Sequence, residues 1–126
     1  MCEIFISTDP QRYESRTRAV RLHGVSTSIR LENLFWDILD EIAERDGMSV
    51  GQLVTRLHDE LSEAELATGN FASFLRVCAA RYLSLQLCGQ IPADRSVPIR
   101  SLNAKRVLAA ERSWLAGRVT RIAETA

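Results

Sequence analysis

The chain has little with which to do chemistry. No stretch approaches the ~18 consecutive apolar residues of a membrane-crossing helix. There is no phosphate-cradling glycine loop, no nucleophile elbow, no His-x-x-x-His and no Cys-x-x-Cys. Cysteines number three (Cys2, Cys78 and Cys88), an odd count with no metal-ligand spacing. They read as reduced thiols, and neither metal nor cofactor is expected. The start, Met1-Cys2-Glu3-Ile4, lacks a basic flank followed by an apolar stretch. It does not read as a secretion signal, and the cytoplasm is the expected compartment. Paired carboxylates such as Asp40/Glu41 and Glu60/Glu63 fall on helix surfaces and read as solvated charges. These absences argue against an enzyme.

What the sequence does hold is a globular share of hydrophobic residues, 46% of 126, which suits one compact domain. The net charge is zero, from 16 basic and 16 acidic side chains, but the charges are segregated. Residues 1–31 carry +2, residues 32–65 carry −8 and residues 66–126 carry +6. Binding to a polyanion responds to local patches, so a neutral total does not exclude one. Lys105 is the sole lysine. The arginines that replace lysine suit bidentate contacts to phosphate and guanine.

Residues 3–7 read as a short strand ended by Asp9-Pro10, and residues 11–18 as a polar loop or arm with Arg12, Arg16 and Arg18. From Ala19 to Leu31 the pattern is extended. Its apolar positions are even before Gly24 (Val20, Leu22) and odd after it (Val25, Ile29, Leu31). A one-residue change of phase means a bulge or a turn, and glycine suits either.

Helical spacing takes over at residues 33–46, with Leu34, Phe35, Ile38, Leu39 and Ile42 on one stripe and Gly47 as its stop. Trp36 lies off that stripe and reads as packing against a partner or the third helix. Ser49-Val50-Gly51-Gln52 is a capping box opening a second helix to about residue 66, with Val50, Leu53, Val54, Leu57 and Leu61 inward. Thr68-Gly69-Asn70 ends it. A third helix is expected over 71–88, broken at Gly89-Gln90-Ile91-Pro92. A linker over 93–100 then leads to a fourth helix over 102–124, carrying Val107, Leu108, Trp114, Leu115, Val119 and Ile122.

Strand, helix, tight glycine turn and helix within 40 residues resemble the ribbon-helix-helix family of bacterial repressors and antitoxins. Ser26-Thr27-Ser28-Ile29-Arg30-Leu31-Glu32, Phe35-Trp36, the Ile38/Leu39/Ile42 stripe and Gly47-Met48-Ser49 carry the resemblance. The stretch from Arg18 to Tyr82 is similar to a bacterial subgroup in which an Arg-Leu-His-Gly-like lead-in precedes the ribbon and a third helix follows. The expected fold is mainly α with a short β ribbon. It is a ribbon-helix-helix dimer elaborated by one or two C-terminal helices. Residues 1–23 form an N-terminal strand and basic arm, 24–66 the core and 67–126 a helical extension.

The resemblance implies how such a fold works. One short strand has two unpaired edges, so two copies pair antiparallel into a ribbon that fits the major groove. Odd positions face the helices; Ser26, Ser28 and Arg30 face the bases, with Arg30 suited to guanine O6 and N7. Ser49, Val50 and Gly51, at the start of the second helix, would hold a phosphate. Arg18 and Arg21 would add backbone contacts from the flank. The partners implied are double-stranded DNA and a second copy, with a tetramer across adjacent half-sites as the next assembly.

Plainer readings stand beside these. Ser26, Ser28 and Arg30 also suit an ordinary strand surface, and Ser49 caps its helix in any case. His23 reads as strand surface. His58, beside Asp59 and Glu60, reads as solvated or ion-paired. The −8 segment and the basic C-terminal half also support an alternative function. This is a protein–protein interaction module on the same fold, antitoxin-like, with a partner on the C-terminal helices.

Overall fold

A computed structural model describes residues 2–67 and 69–125, the last helix by its backbone alone from residue 119. These residues group into two compact units, Met1–Ala79 and Ala80–Ala126. No helix among them is long and apolar enough to cross a membrane.

In the first unit a turn of helix, α1 (Cys2–Ile6), stands where a strand was expected. A strand needs a partner, and the sheet among the described residues has two strands, neither of them in this segment. The hydroxyls of Ser7 and Thr8 instead donate to the carbonyls of Glu3 and Phe5, at 2.5 and 2.6 Å, and close the turn. Residues 11–18 also differ from expectation. Asp9 accepts from the Gln11 amide and Pro10 sits at the first helical position, which starts α2 (Pro10–Tyr13). The expected arm therefore begins as a helix and ends as a strand. Asn33 holds α2 in place, its backbone N–H donating to Glu14 O and its Nδ2 to Gln11 O.

The phase change at Gly24 is a tight turn. Strands β1 (Ser15–Leu22) and β2 (Val25–Glu32) pair antiparallel, from Ser15 opposite Glu32 to Leu22 opposite Val25. The two residues between them, His23 and Gly24, have φ of 52° and 76°. Positive φ at both central positions is the mark of the type I′ turn, whose twist matches that of the strands. The expected single strand, completed only by a second copy, is thus corrected: β2 finds its partner in its own chain. Its other edge meets no further strand among the described residues, for the sheet has two.

Helix α3 (Asn33–Arg45) covers β2, and α4 (Val50–Glu63) covers β1. Between them Gly47, at φ 69°, allows the chain to reverse. Its N–H donates to Glu44 O, and that of Met48 to Ala43 O, the paired bonds of a Schellman stop. The expected capping box is formed: Ser49 Oγ accepts from Gln52 N and Gln52 Oε1 accepts from Ser49 N. The core joins Val20, Ile29 and Leu31 of the hairpin to Trp36, Leu39 and Ala43 of α3 and Leu53 and Val54 of α4. Leu75 and Ala79 of α5 (Phe71–Leu87) complete it. A fully buried Val, Leu or Ile among these contributes about 1.5–3 kcal/mol. Trp36 is 0% exposed and donates its indole N–H to Arg16 O at 2.8 Å. Its packing is against this chain's own β1.

In the second unit α5 ends at a Schellman stop on Gly89, where Gln90 N donates to Leu85 O. Tyr82, Leu85 and Ile91 are buried. After a 3-10 turn (Ile99–Ser101) runs α6 (Ala104–Thr125). Arg81 of α5 holds Glu111 of α6 by two hydrogen bonds, at 2.5 and 3.0 Å. Val119 and Ile122, expected on the apolar set of α6, lie outside the described side chains, as Thr68 lies outside the described residues.

Candidate nucleic-acid interface

Successive strand residues point to opposite faces, and residues opposite one another in an antiparallel pair share a face. The register therefore sorts the hairpin into two sides. Val20, Ile29 and Leu31 are buried under the helices. The other side carries Thr17, Ala19 and Arg21 on β1, opposite Arg30, Ser28 and Ser26 on β2. All six are exposed.

This outer face is small, polar and basic. Hydroxyls of Thr17, Ser26 and Ser28 can donate or accept, and Ala19 leaves room for close approach. Arg21 lies across from Ser26 and donates to Gly24 O at 3.3 Å, which aims it along the turn. Thr55 of α4 donates to Arg21 O and fixes that strand from behind. From Ser26 to Arg30 the strand rises about 13 Å, the length of roughly four base pairs. Two strands about 4.8 Å apart fit a major groove about 12 Å wide. Ser26, Ser28 and Arg30 share the outer face, as expected, and Arg21 joins them from β1.

Arg18 stands elsewhere. It is opposite Ile29 on the helix-facing side, and its guanidinium donates to both carboxylate oxygens of Asp40 at 3.3 Å. Val20 and Leu22 alternate with Arg21 and so share a side with Arg18, which the sequence shows, but its capture by Asp40 on α3 needed the fold. At the start of α4, Ser49 is exposed, and Val50 and Gly51 are partly so. The capping box occupies the Gln52 amide, and the amides of Val50 and Gly51 come before the first intrahelical bond. A Cβ at Gly51 would have only Ser49 Oγ near it, at 3.9 Å.

Two residues that read as plain surface come together. His23, in the turn, and His58, on α4, lie with ring centres 5.0 Å apart, and Asp59 lies beside them. Sequence separation hid this: 35 residues divide the histidines, and only the pairing of the turn with α4 closes the gap.

Hydrogen bonding depresses two carboxyls. Arg76, donating through Nε at 2.8 Å, holds Glu32 below its ordinary pKa. Arg81 does the same for Glu111.

The ribbon-helix-helix domain profile matches residues 15–83, more than half of the chain. Its span runs from the first residue of β1 into α5 and so takes in the hairpin and the two helices behind it. The chain belongs to the ribbon-helix-helix domain family. Among solved structures it is similar to an uncharacterized protein from Bordetella pertussis Tohama I. The two share 59% identity and a TM-score of 0.83 over 86% of each chain. Among curated proteins none matches.

Proposed function

We propose that this protein is a DNA-binding regulator that reads the major groove with the outer face of its β ribbon. The observation that carries this is the exposed set Thr17, Ala19, Arg21, Ser26, Ser28 and Arg30 on a narrow, twisted, helix-backed ribbon. In this reading Arg30 contacts guanine, and Ser26 and Ser28 contact neighbouring base edges. Arg21 and the amides of Val50 and Gly51 hold phosphates, while the amide of Ser49, the third residue expected there, already donates to Gln52 Oε1. Arg18 is withdrawn from that role because Asp40 already pairs with it. The assembly proposed is a homodimer. The outer edge of β2 is open to β2 of a second copy, which gives a four-stranded sheet with the two reading strands at its centre. Such a dimer reads a two-fold-symmetric site. No catalytic role is proposed, and the proposed setting is the cytoplasm.

Selection from a random pool of duplex DNA, with wild type and Arg30→Ala in parallel, tests this. The expected result is an enriched two-fold-symmetric site with wild type. The variant should lose about 1–3 kcal/mol of discrimination at the base Arg30 contacts. A folded dimer that enriches nothing would overturn the proposal.

The second reading, a protein-interaction module, is favoured by one observation. Leu83 and Leu87 on α5, and Leu108 and Leu115 on α6, are exposed at 41% or more. Leu83→Glu and Leu108→Glu should leave DNA selection intact and abolish any complex made through these helices. A complex that survives both changes would exclude that surface.

A further inference from the structure

We propose that His23, His58 and Asp59 form a binding site for one divalent transition-metal ion, joining the tip of the hairpin to α4. One ligand atom from each of the three residues lies within 4.8 Å of the others. His23 Nδ1 is 3.7 Å from Asp59 Oδ1, and His23 Nε2 is 3.4 Å from Ser62 Oγ. His58 Nδ1 is buried and has no hydrogen-bond partner. A buried polar atom without a partner needs an explanation, and a ligand position supplies one.

The surroundings suit a cation. A shallow depression here is lined by His23, Gly24, Thr55, Asp59, Ser62 and Glu63, with two carboxylates and no lysine or arginine. The type I′ turn holds His23 in place, and the Phe71 ring, 5.1 Å from the His58 ring and edge-on to it, holds the other imidazole. Two imidazoles and a carboxylate select zinc, nickel or cobalt rather than calcium or magnesium, which take oxygen ligands. Ligands at about 2.0–2.2 Å around a tetrahedral ion lie roughly 3.3 Å apart, so the cluster must contract by roughly 1–1.5 Å. His23 and Asp59 are exposed enough to rotate through that distance. Three protein ligands leave a fourth position, for water or for Glu63. A bound ion clamps the turn to α4 directly behind Arg21, and its bearing on DNA contact rests on the reading proposed above.

The test uses tag-free protein stripped with chelator and then titrated with zinc by calorimetry and with cobalt by absorption. These measurements need no DNA, so they fail independently of the DNA reading. The chain has only two histidines, so their imidazole proton signals report both ligands directly. The expected result is one zinc per chain and shifts of both imidazole signals. Cobalt should give a visible band without thiolate charge transfer. His23→Asn, which keeps a residue tolerant of positive φ, His58→Gln and Asp59→Asn should each weaken binding about tenfold or more. Folded variants that bind as tightly as wild type would overturn the proposal, as would zinc that moves neither imidazole signal. Thiolate charge transfer would assign the ion to Cys2, Cys78 or Cys88 and overturn it equally.

Discussion

Arg18 lies over the indole of Trp36, its guanidinium carbon 4.9 Å from the ring centre, while it also holds Asp40. The arginine thus covers the buried Trp36 with its guanidinium held by Asp40. Arg18→Ala should cost about 1 kcal/mol, because a cation–π contact and a partly exposed ion pair are each worth up to about that. A fall in Tm of roughly 3–6 °C in a circular-dichroism melt is expected, with unchanged DNA preference. Lost DNA affinity at unchanged Tm would place Arg18 in the interface after all.

Arg21 makes the opposite case. It is exposed, and its hydrogen bond to Gly24 O adds little at the surface. Arg21→Ala should leave the melting curve within about 0.5 kcal/mol of wild type. On DNA it should weaken binding to all sequences alike and lower the slope of log affinity against log salt by about one per lost phosphate contact. Titrations at several salt concentrations check this, and an unchanged slope would remove Arg21 from the phosphate contacts.

How far the sequence led depends on the range of the interactions involved. Periodicity placed α3, α4 and α5 within a few residues of their observed ends, because stripe, capping box and glycine stops act within one or two turns. Alternation made the outward placement of Ser26, Ser28 and Arg30 legible, but it also put Val25 on the inward set, and beside the turn Val25 is 64% exposed. What failed was partner choice. The apolar residues before Gly24 could not say whether they belonged to a second strand of the same ribbon, although the change of phase marked the turn. Ile4, Phe5 and Ile6 looked like strand residues, and hydroxyl contacts from Ser7 and Thr8 decided otherwise. The Arg18–Asp40 pair and the His23–His58 contact span 22 and 35 residues, and no local pattern announces either.

The turn itself can be tested. Gly24 has positive φ and nothing within 4 Å of where a Cβ would stand, so Ala there clashes with nothing but strains the backbone. Gly24→Ala should destabilise by about 1–2 kcal/mol, the cost of a left-handed conformation in an L-residue. His23→Asn should be close to neutral, since asparagine tolerates that region well. Urea unfolding of both variants measures the difference. Equal stability of Gly24→Ala and wild type would mean that the turn is not type I′ in solution.

The pair Arg81–Glu111 predicts a pH dependence. Glu111 is 8% exposed, and its pKa lies below the ordinary glutamate value because Arg81 donates to it, against the upward push of burial. A carboxyl lowered in the folded state releases its proton more readily there than in the unfolded chain. Its contribution to stability is therefore complete above the ordinary glutamate pKa and is lost as pH falls through the lower, folded value. Arg81→Met removes the donor and leaves burial to act alone, which turns the shift upward and reverses the sign. At neutral pH the variant should be less stable by about 1–3 kcal/mol, the cost of a buried charged acceptor left without its partner. On stepwise acidification the gap should narrow, because protonation relieves the unpaired carboxylate in the variant while it breaks the ion pair in wild type. Urea midpoints across that range check both the sign and the window. A gap that stays constant with pH would show that Arg81 acts through packing rather than through the charge on Glu111.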